Sequence, residues 1–263
     1  MEGQTGSETV MALSTALTCR RSVALSGPAA ASISAALQTL VQRATDMSDY
    51  AAQRLNMIDS QIRTNDVTDV RVQDALRTVP RERFVPAARR AVAYQDGPLE
   101  LVPGRSLLEP RVYAKLLQLA EIRPGDRALD VGCATGYSTA VMARLAHRVI
   151  GLEEDADLVR VATDMVPAVG LANVQIVQGA LASGHRAGAP YDVIFINGAI
   201  EHAPDALLAQ LAEGGRLVAV QRNGTQGQAV LYRKEDGHVG HWASFDAAAA
   251  VLAGFRQPAG FVF

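Results

Sequence analysis

The chain has 263 residues, 49% of them hydrophobic and 20% charged, with a formal net charge of −2. That length allows one large α/β domain with appendages and a sizeable core. The near-balanced charge gives no electrostatic footprint for a nucleic-acid partner, no apolar run approaches the roughly 18 residues of a membrane span, and two cysteines, Cys19 and Cys133, are too few for a disulfide framework or a zinc site.

Residues 1–46 are rich in Ala, Ser and Thr and contain no aromatic residue. A Gly27-Pro28 break precedes a candidate amphipathic helix over Ala30 to Arg43. Arg20-Arg21 before SVALSG make a poor export signal, because serines interrupt the apolar part and the pair lies far from Met1. The segment reads as a flexible extension, or as a start assigned too early with Met47 a natural beginning, and cytoplasmic residence is the expectation.

From Asp49 the pattern turns helical, with Leu55, Ile58 and Ile62 at helical spacing. A second helix is expected from Asp69, with Val72, Leu76 and Val79 on one face and Pro80 ending it. The phrases VPRERFVP, AYQDGPLEL and GRSLLEP follow. Pro110 suits the first turn of a third helix and Glu109 its cap. Val112, Leu116, Leu117 and Leu119 supply its core face, and Arg111 and Tyr113 lie near its start.

The stretch RALDVGCATGYS, Arg127 to Ser138, organises the rest. Its apolar run fits a strand buried on both faces of a parallel sheet. The run breaks at Gly132 and Gly136, which let the backbone turn sharply and leave room for a ligand. A helix starting near Tyr137 is expected to aim its first N–H groups into that room. Cys133 reads as a small filler, with a reactive thiol as the alternative. A dinucleotide fingerprint, G-x-G-x-x-G, would need a middle glycine that is absent here, and Asp130 would oppose a pyrophosphate. A carboxylate there welcomes a cation instead. The loop resembles motif I of the Rossmann-like S-adenosylmethionine-dependent methyltransferases, D/E-x-G-x-x-x-G. The next strand, His147 to Glu153, ends about 20 residues beyond the first, where an acid accepts ribose hydroxyls. Glu153 takes that role, while Glu154 and Asp155 start the following helix.

Beyond it, Ala156 to Val166 reads as helix, Asn173 to Gln178 and Asp192 to Asn197 as strands, and Glu213-Gly214-Gly215 as a turn into a strand over Arg216 to Val220. Gln228 to Arg233 and Gly240 to Phe245 form a candidate hairpin around Glu235-Asp236-Gly237. The tail, FDAAAAVLAGF, reads as an alanine-rich helix ended by Gly254, with an apolar end packing on the sheet. His202 beside Glu201 reads as a loop residue, since a carboxylate acceptor is ionised at neutral pH and needs no base.

VPRERFVP, with MIDSQIRTNDVTDVRVQDALRTV before it and AYQDGPLEL after it, resembles the protein-L-isoaspartate O-methyltransferases, and the likeness runs from about Met57 to Val220. It implies an α/β fold: a class I methyltransferase with a mostly parallel, doubly wound sheet, a terminal antiparallel hairpin and an N-terminal helical cap. The implied divisions are 1–46 as extension, 47–110 as helical cap and substrate loop, and 111–263 as the cofactor-binding domain. The implied cofactor is S-adenosyl-L-methionine, held by Asp130, Gly132, Thr135, Gly136, Glu153, Ala180 and Leu181, with no metal. The implied partners are isoaspartyl-containing proteins or peptides. Methylation of their carboxylate gives an ester that collapses to a succinimide and reopens, partly repairing the backbone.

This chain departs from the family at two places. Where the family resembles GQTISQP, Leu108 stands at the serine beside methyl donor and substrate, with Ser106 at the threonine. Arg111 reads as a solvated surface residue, with a guanidinium fork to the substrate carboxylate in place of the missing hydroxyl as the alternative. Where the family reads GDG, Ala180 removes an acid's contact with the adenine amino group, a loss of about 1–2 kcal/mol. The alternatives are therefore a relative that binds the cofactor but methylates something else or nothing, and, less consistent with Asp130, an NAD-dependent oxidoreductase.

Overall fold

The computed structural model describes residues 49–257. The expected extension, the candidate helix at 30–43 and the last residues, 258–263, lie outside them. Residues 49–57 are helical and pass into a π-helical turn, Ile58–Ile62, and a 3-10 turn, Arg63–Asn65. Ile58 and Ile62 are buried there, whereas Leu55, expected on the same face, is exposed. The change of helical pitch re-aims the apolar stripe after Leu55.

α1 (Val70–Thr78) begins where Asp69 accepts the Arg71 N–H at 2.8 Å, and it buries Val72 and Leu76 with Val79 just beyond. Pro80 then stops it. β1 (Leu99–Val102) and β2 (Arg105–Leu107) pair as a small antiparallel hairpin. α2 (Pro110–Ala120) has Pro110 in its first turn as expected. Glu109 does not cap it with its side chain. That carboxylate instead accepts from Arg111 Nε at 2.7 Å, and only the Glu109 carbonyl serves the helix.

The main sheet alternates with helices: β3 (Arg127–Val131), α3 (Tyr137–Met142), β4 (Arg148–Glu153), α4 (Ala156–Ala168), β5 (Val174–Gln178), β6 (Tyr191–Ile200), α5 (Asp205–Leu208) and β7 (Leu211–Asn223). β8 (Gln226–Glu235) and β9 (His238–Asp246) close it as the expected hairpin, turning at Asp236 and Gly237, both at positive φ. The strand order is β5-β4-β3-β6-β7-β8-β9, parallel as far as β7 and antiparallel beyond. Sequence neighbours Val193 and Phe195 enter one core cluster and Ile194 and Ile196 the other, so the sheet is covered on both faces. β7 starts before the Glu213-Gly214-Gly215 turn, with a register shift against β6 that absorbs it.

At the amino ends of the strands, Arg216 is buried against Asp126 at 2.7 Å and donates to the carbonyls of Ala120 and Glu121, tying β7 to the end of α2. The tail is not helical. Residues 247–257 run as a strap, bridged in parallel to β6 at Ala199↔Val251 and turning at Ala253 and Gly254. The Leu252 N–H donates to the Ala199 carbonyl at 3.0 Å and the Ala199 N–H to the Ala250 carbonyl at 2.8 Å. Alanine propensity lost to these pairings, which let Leu252 and Phe255 bury their side chains. Among the described residues no helix is long and apolar enough to cross a membrane.

Candidate cofactor site

The site lies at the carboxyl ends of β3, β4 and β6, where ligands of open parallel sheets bind. Asp130, fully buried on β3, accepts from Ser138 Oγ and Thr139 Oγ1, each at 2.6 Å, and from Asn197 Nδ2 at 2.5 Å. Burial pushes its carboxyl up to about 6 against those three hydrogen bonds, and the charge of Glu153 adds to the rise. Both oxygens are thus engaged from within. Asp130 thereby pins the first turn of α3 and the end of β6.

The loop turns at Gly132 (φ 79°), Ala134 (φ 49°) and Gly136 (φ 91°), and its first amides donate to the Leu152 carbonyl on β4. A side chain at Gly136 would press on Val166 and Ala162 of α4, so the second glycine serves helix packing as well as the turn. α3 is only six residues long. Within the loop the Ala134 N–H donates to Glu153 Oε2 at 2.8 Å.

Glu153 ends β4 fully buried, its Oε1 accepting from the N–H groups of Glu154 and Asp155. Its Oε2 also pairs with Arg105 Nη2 from β2. Asp155 caps α4 by accepting from Asp157 and Leu158, as expected of a helix-starting acid.

Thr135 is buried, and its hydroxyl donates to the Phe84 carbonyl at 2.7 Å, joining the loop to the VPRERFVP segment. Leu181 is buried and Ala180 exposed at the end of β5. Ser106 sits half-buried opposite Glu100 in the hairpin. Leu108 is buried in the core cluster that also contains Tyr113 and Tyr137. Arg111, the alternative fork for a substrate, is held by Glu109. His202 is exposed. Its neighbour Glu201 accepts from the Gln257 N–H and from Arg222, which hold its carboxyl below the usual range.

Three residues that the motifs did not single out shape the site. Arg105 neutralises Glu153, and Asn197 anchors Asp130. Arg81 is buried, donating to the carbonyls of Ala93 and Leu108 and lying 4.9 Å from the centre of the Tyr137 ring. The Arg in VPRERFVP was visible, but only the packed structure shows that it holds the hairpin beside the loop.

The sequence profile of the protein-L-isoaspartate(D-aspartate) O-methyltransferase family matches residues 52–246. The chain belongs to this family. The protein-L-isoaspartate O-methyltransferase of Koribacter versatilis is 39% identical over 173 residues, 66% of this chain and 78% of its own. A solved protein-L-isoaspartate O-methyltransferase superposes with a TM-score of 0.67 at 25% identity, covering 76% of this chain and 66% of that one. A Plasmodium falciparum protein proposed to be such an enzyme, solved with S-adenosyl-L-homocysteine, gives a TM-score of 0.66 at 22% identity over 77% of this chain and 97% of its own. The family's cofactor is S-adenosyl-L-methionine, and the donor set fits it: a buried acid on the first strand, a loop with glycines at positive φ, and a second acid at the next strand end. Among the described residues, no group of three or more His, Cys, Asp or Glu side chains could hold a metal.

Proposed function

We propose that the chain moves a methyl group from S-adenosyl-L-methionine to the carboxylate of L-isoaspartyl residues in damaged proteins and peptides, in the cytoplasm. The observation that carries this reading is the placement of Asp130 and Glu153 at the ends of adjacent parallel strands, either side of the Gly132–Gly136 loop, in a chain of this family. The cofactor supplies a methyl group already activated on a sulfonium. Gly132 and Gly136 shape the bed for it, Thr135 fixes the loop to Phe84, and Glu153 is the acceptor for ribose hydroxyls. Asp130 sets a negative field beneath the cation. Ala180 and Leu181 border the adenine edge, where the loss of a side-chain acceptor leaves recognition to backbone amides.

No side chain needs to act as a covalent nucleophile, since the acceptor is itself a carboxylate. Catalysis rests on holding donor and acceptor in line and excluding water. Residues 47–110 carry the substrate side with Ser106 as a polar group, residues 111–263 carry the cofactor side and lend Arg111 to the substrate from the start of α2, and residues 1–46 are an extension. A second reading, that the cofactor is bound while another substrate or none is methylated, is favoured by Leu108, an apolar group at the family's serine. Transfer of labelled methyl to an isoaspartyl peptide, with the aspartyl peptide as control, tests the proposal. Label on the isoaspartyl peptide alone supports it; cofactor binding without label leaves the second reading.

A further inference from the structure

The bed of the cofactor site is covered by the protein itself. A Cβ placed on Gly132 would lie 3.0 Å from Leu252 Cδ1, 3.1 Å from Arg105 Nη2 and 3.3 Å from Arg105 Nη1. One placed on Gly198 would lie 2.6 Å from Leu252 Cγ and 3.0 Å from the Ala250 carbonyl oxygen. Leu252 of the strap therefore sits between the ends of β3 and β6, and the Arg105 guanidinium lies over the glycine loop. Leu252 is 3% exposed, and the strap is tied to β6 by the paired amides of Ala199 and Leu252 and by the Glu201 N–H donating to the Phe255 carbonyl.

Both covering groups oppose a sulfonium cofactor. Arg105 brings a positive charge to the place meant for a cation, and it uses the Glu153 oxygen that ribose hydroxyls would need. Among the described residues its buried Nε has no hydrogen-bond partner, so the guanidinium is incompletely satisfied where it lies. Leu252 occupies volume that only a glycine-lined bed leaves open.

We infer that Arg105 and Leu252 form a two-part gate that holds the cofactor site shut, and that S-adenosyl-L-methionine binds only after hairpin β1–β2 and strap 247–257 have moved off it. This rests on the reading of Asp130 and Glu153 as cofactor residues. A ligand that binds only the open state has its affinity reduced by the fraction of molecules in that state. Weakening either half of the gate must therefore tighten binding while it loosens the free protein.

The test is calorimetric titration of the full chain and of Leu252→Ala and Arg105→Gln with S-adenosyl-L-homocysteine, together with the melting temperature of each without ligand. With an open state at or below roughly 10% of the population, each variant binds up to about tenfold or more tighter than the parent, and melts lower. Should Leu252→Ala fail to fold, Arg105→Gln alone carries the test. Hydrogen exchange supplies a second readout: the amides of Ala199 and Leu252 exchange faster in the presence of ligand if the strap leaves. Variants that bind no tighter than a parent that does bind overturn the gate and leave the proposed function standing, as does strap protection that rises on binding. If neither parent nor variants bind, the proposed function falls and the gate with it.

Discussion

Arg105 on β2 and Glu153 at the end of β4 form a buried ion pair across the glycine loop. Removing one partner leaves the other charge buried and alone, which costs about 3–5 kcal/mol, whereas removing both is close to neutral. Glu153→Gln is expected to lower stability in urea by about 3 kcal/mol, and Glu153→Gln combined with Arg105→Met to recover most of that loss. Equal, additive losses would show that the pair is not coupled.

Asp130 predicts a pH dependence. Its carboxyl is raised from 3.8 to about 6 by burial, so the folded chain holds a proton that the unfolded chain releases at lower pH. The stabilisation from that proton is complete below about 3.8 and is lost as pH rises through about 6, by roughly 3 kcal/mol at about 1.4 kcal/mol per unit. Asp130→Asn should remove this slope, as read from denaturation between pH 4 and pH 7 (about the range the shift spans). Affinity runs the other way. The ionised carboxylate attracts the sulfonium, so S-adenosyl-L-methionine binding should fall below about pH 6 more steeply than binding of the neutral S-adenosyl-L-homocysteine.

Gly136 has φ 91°, and an added Cβ would lie 2.8 Å from Val166 Cγ2 and 3.2 Å from Ala162 Cβ. Gly136→Ala combines left-handed strain with overpacking against α4 and should destabilise by about 2–4 kcal/mol. Thermal unfolding checks it; an unchanged melting temperature would mean the loop tolerates a side chain.

Cys133 is buried and its thiol is pushed well up by burial and by the charges of Asp130 and Glu153. It should resist thiol reagents in the native chain and react once the chain is unfolded, as peptide mass spectrometry would show. Rapid native labelling at Cys133 would revive the reactive-thiol alternative.

Leu108 is 6% exposed within the core. Leu108→Ser should cost about 2–4 kcal/mol in stability, yet raise methyl transfer to an isoaspartyl peptide by restoring the hydroxyl of the family pattern. A variant that folds and transfers no faster would show that the missing hydroxyl is not what limits the chain.

Much of this was legible in the residues. Asp130, Gly132, Gly136 and Glu153 announced themselves because a strand, a bend and an acid at fixed spacing are local patterns, and the parallel strands showed as apolar runs. What escaped depended on contacts between distant segments. The strap was read as helix because alanine favours helix locally, while the pairing of residues 250 and 252 with Ala199 is visible only in three dimensions. Arg105, 48 residues from Glu153, carried no local sign of its partner. Glu109 carried a cap signal, but the nearby Arg111 took its carboxylate.

The most direct measurement is calorimetric titration of the purified full chain with S-adenosyl-L-methionine and S-adenosyl-L-homocysteine. Saturable binding of both ligands to a single site is the expected result. No heat of binding from either ligand at millimolar concentration (about the weak limit of specific association), in the parent and in Leu252→Ala alike, would contradict the assignment of this cleft.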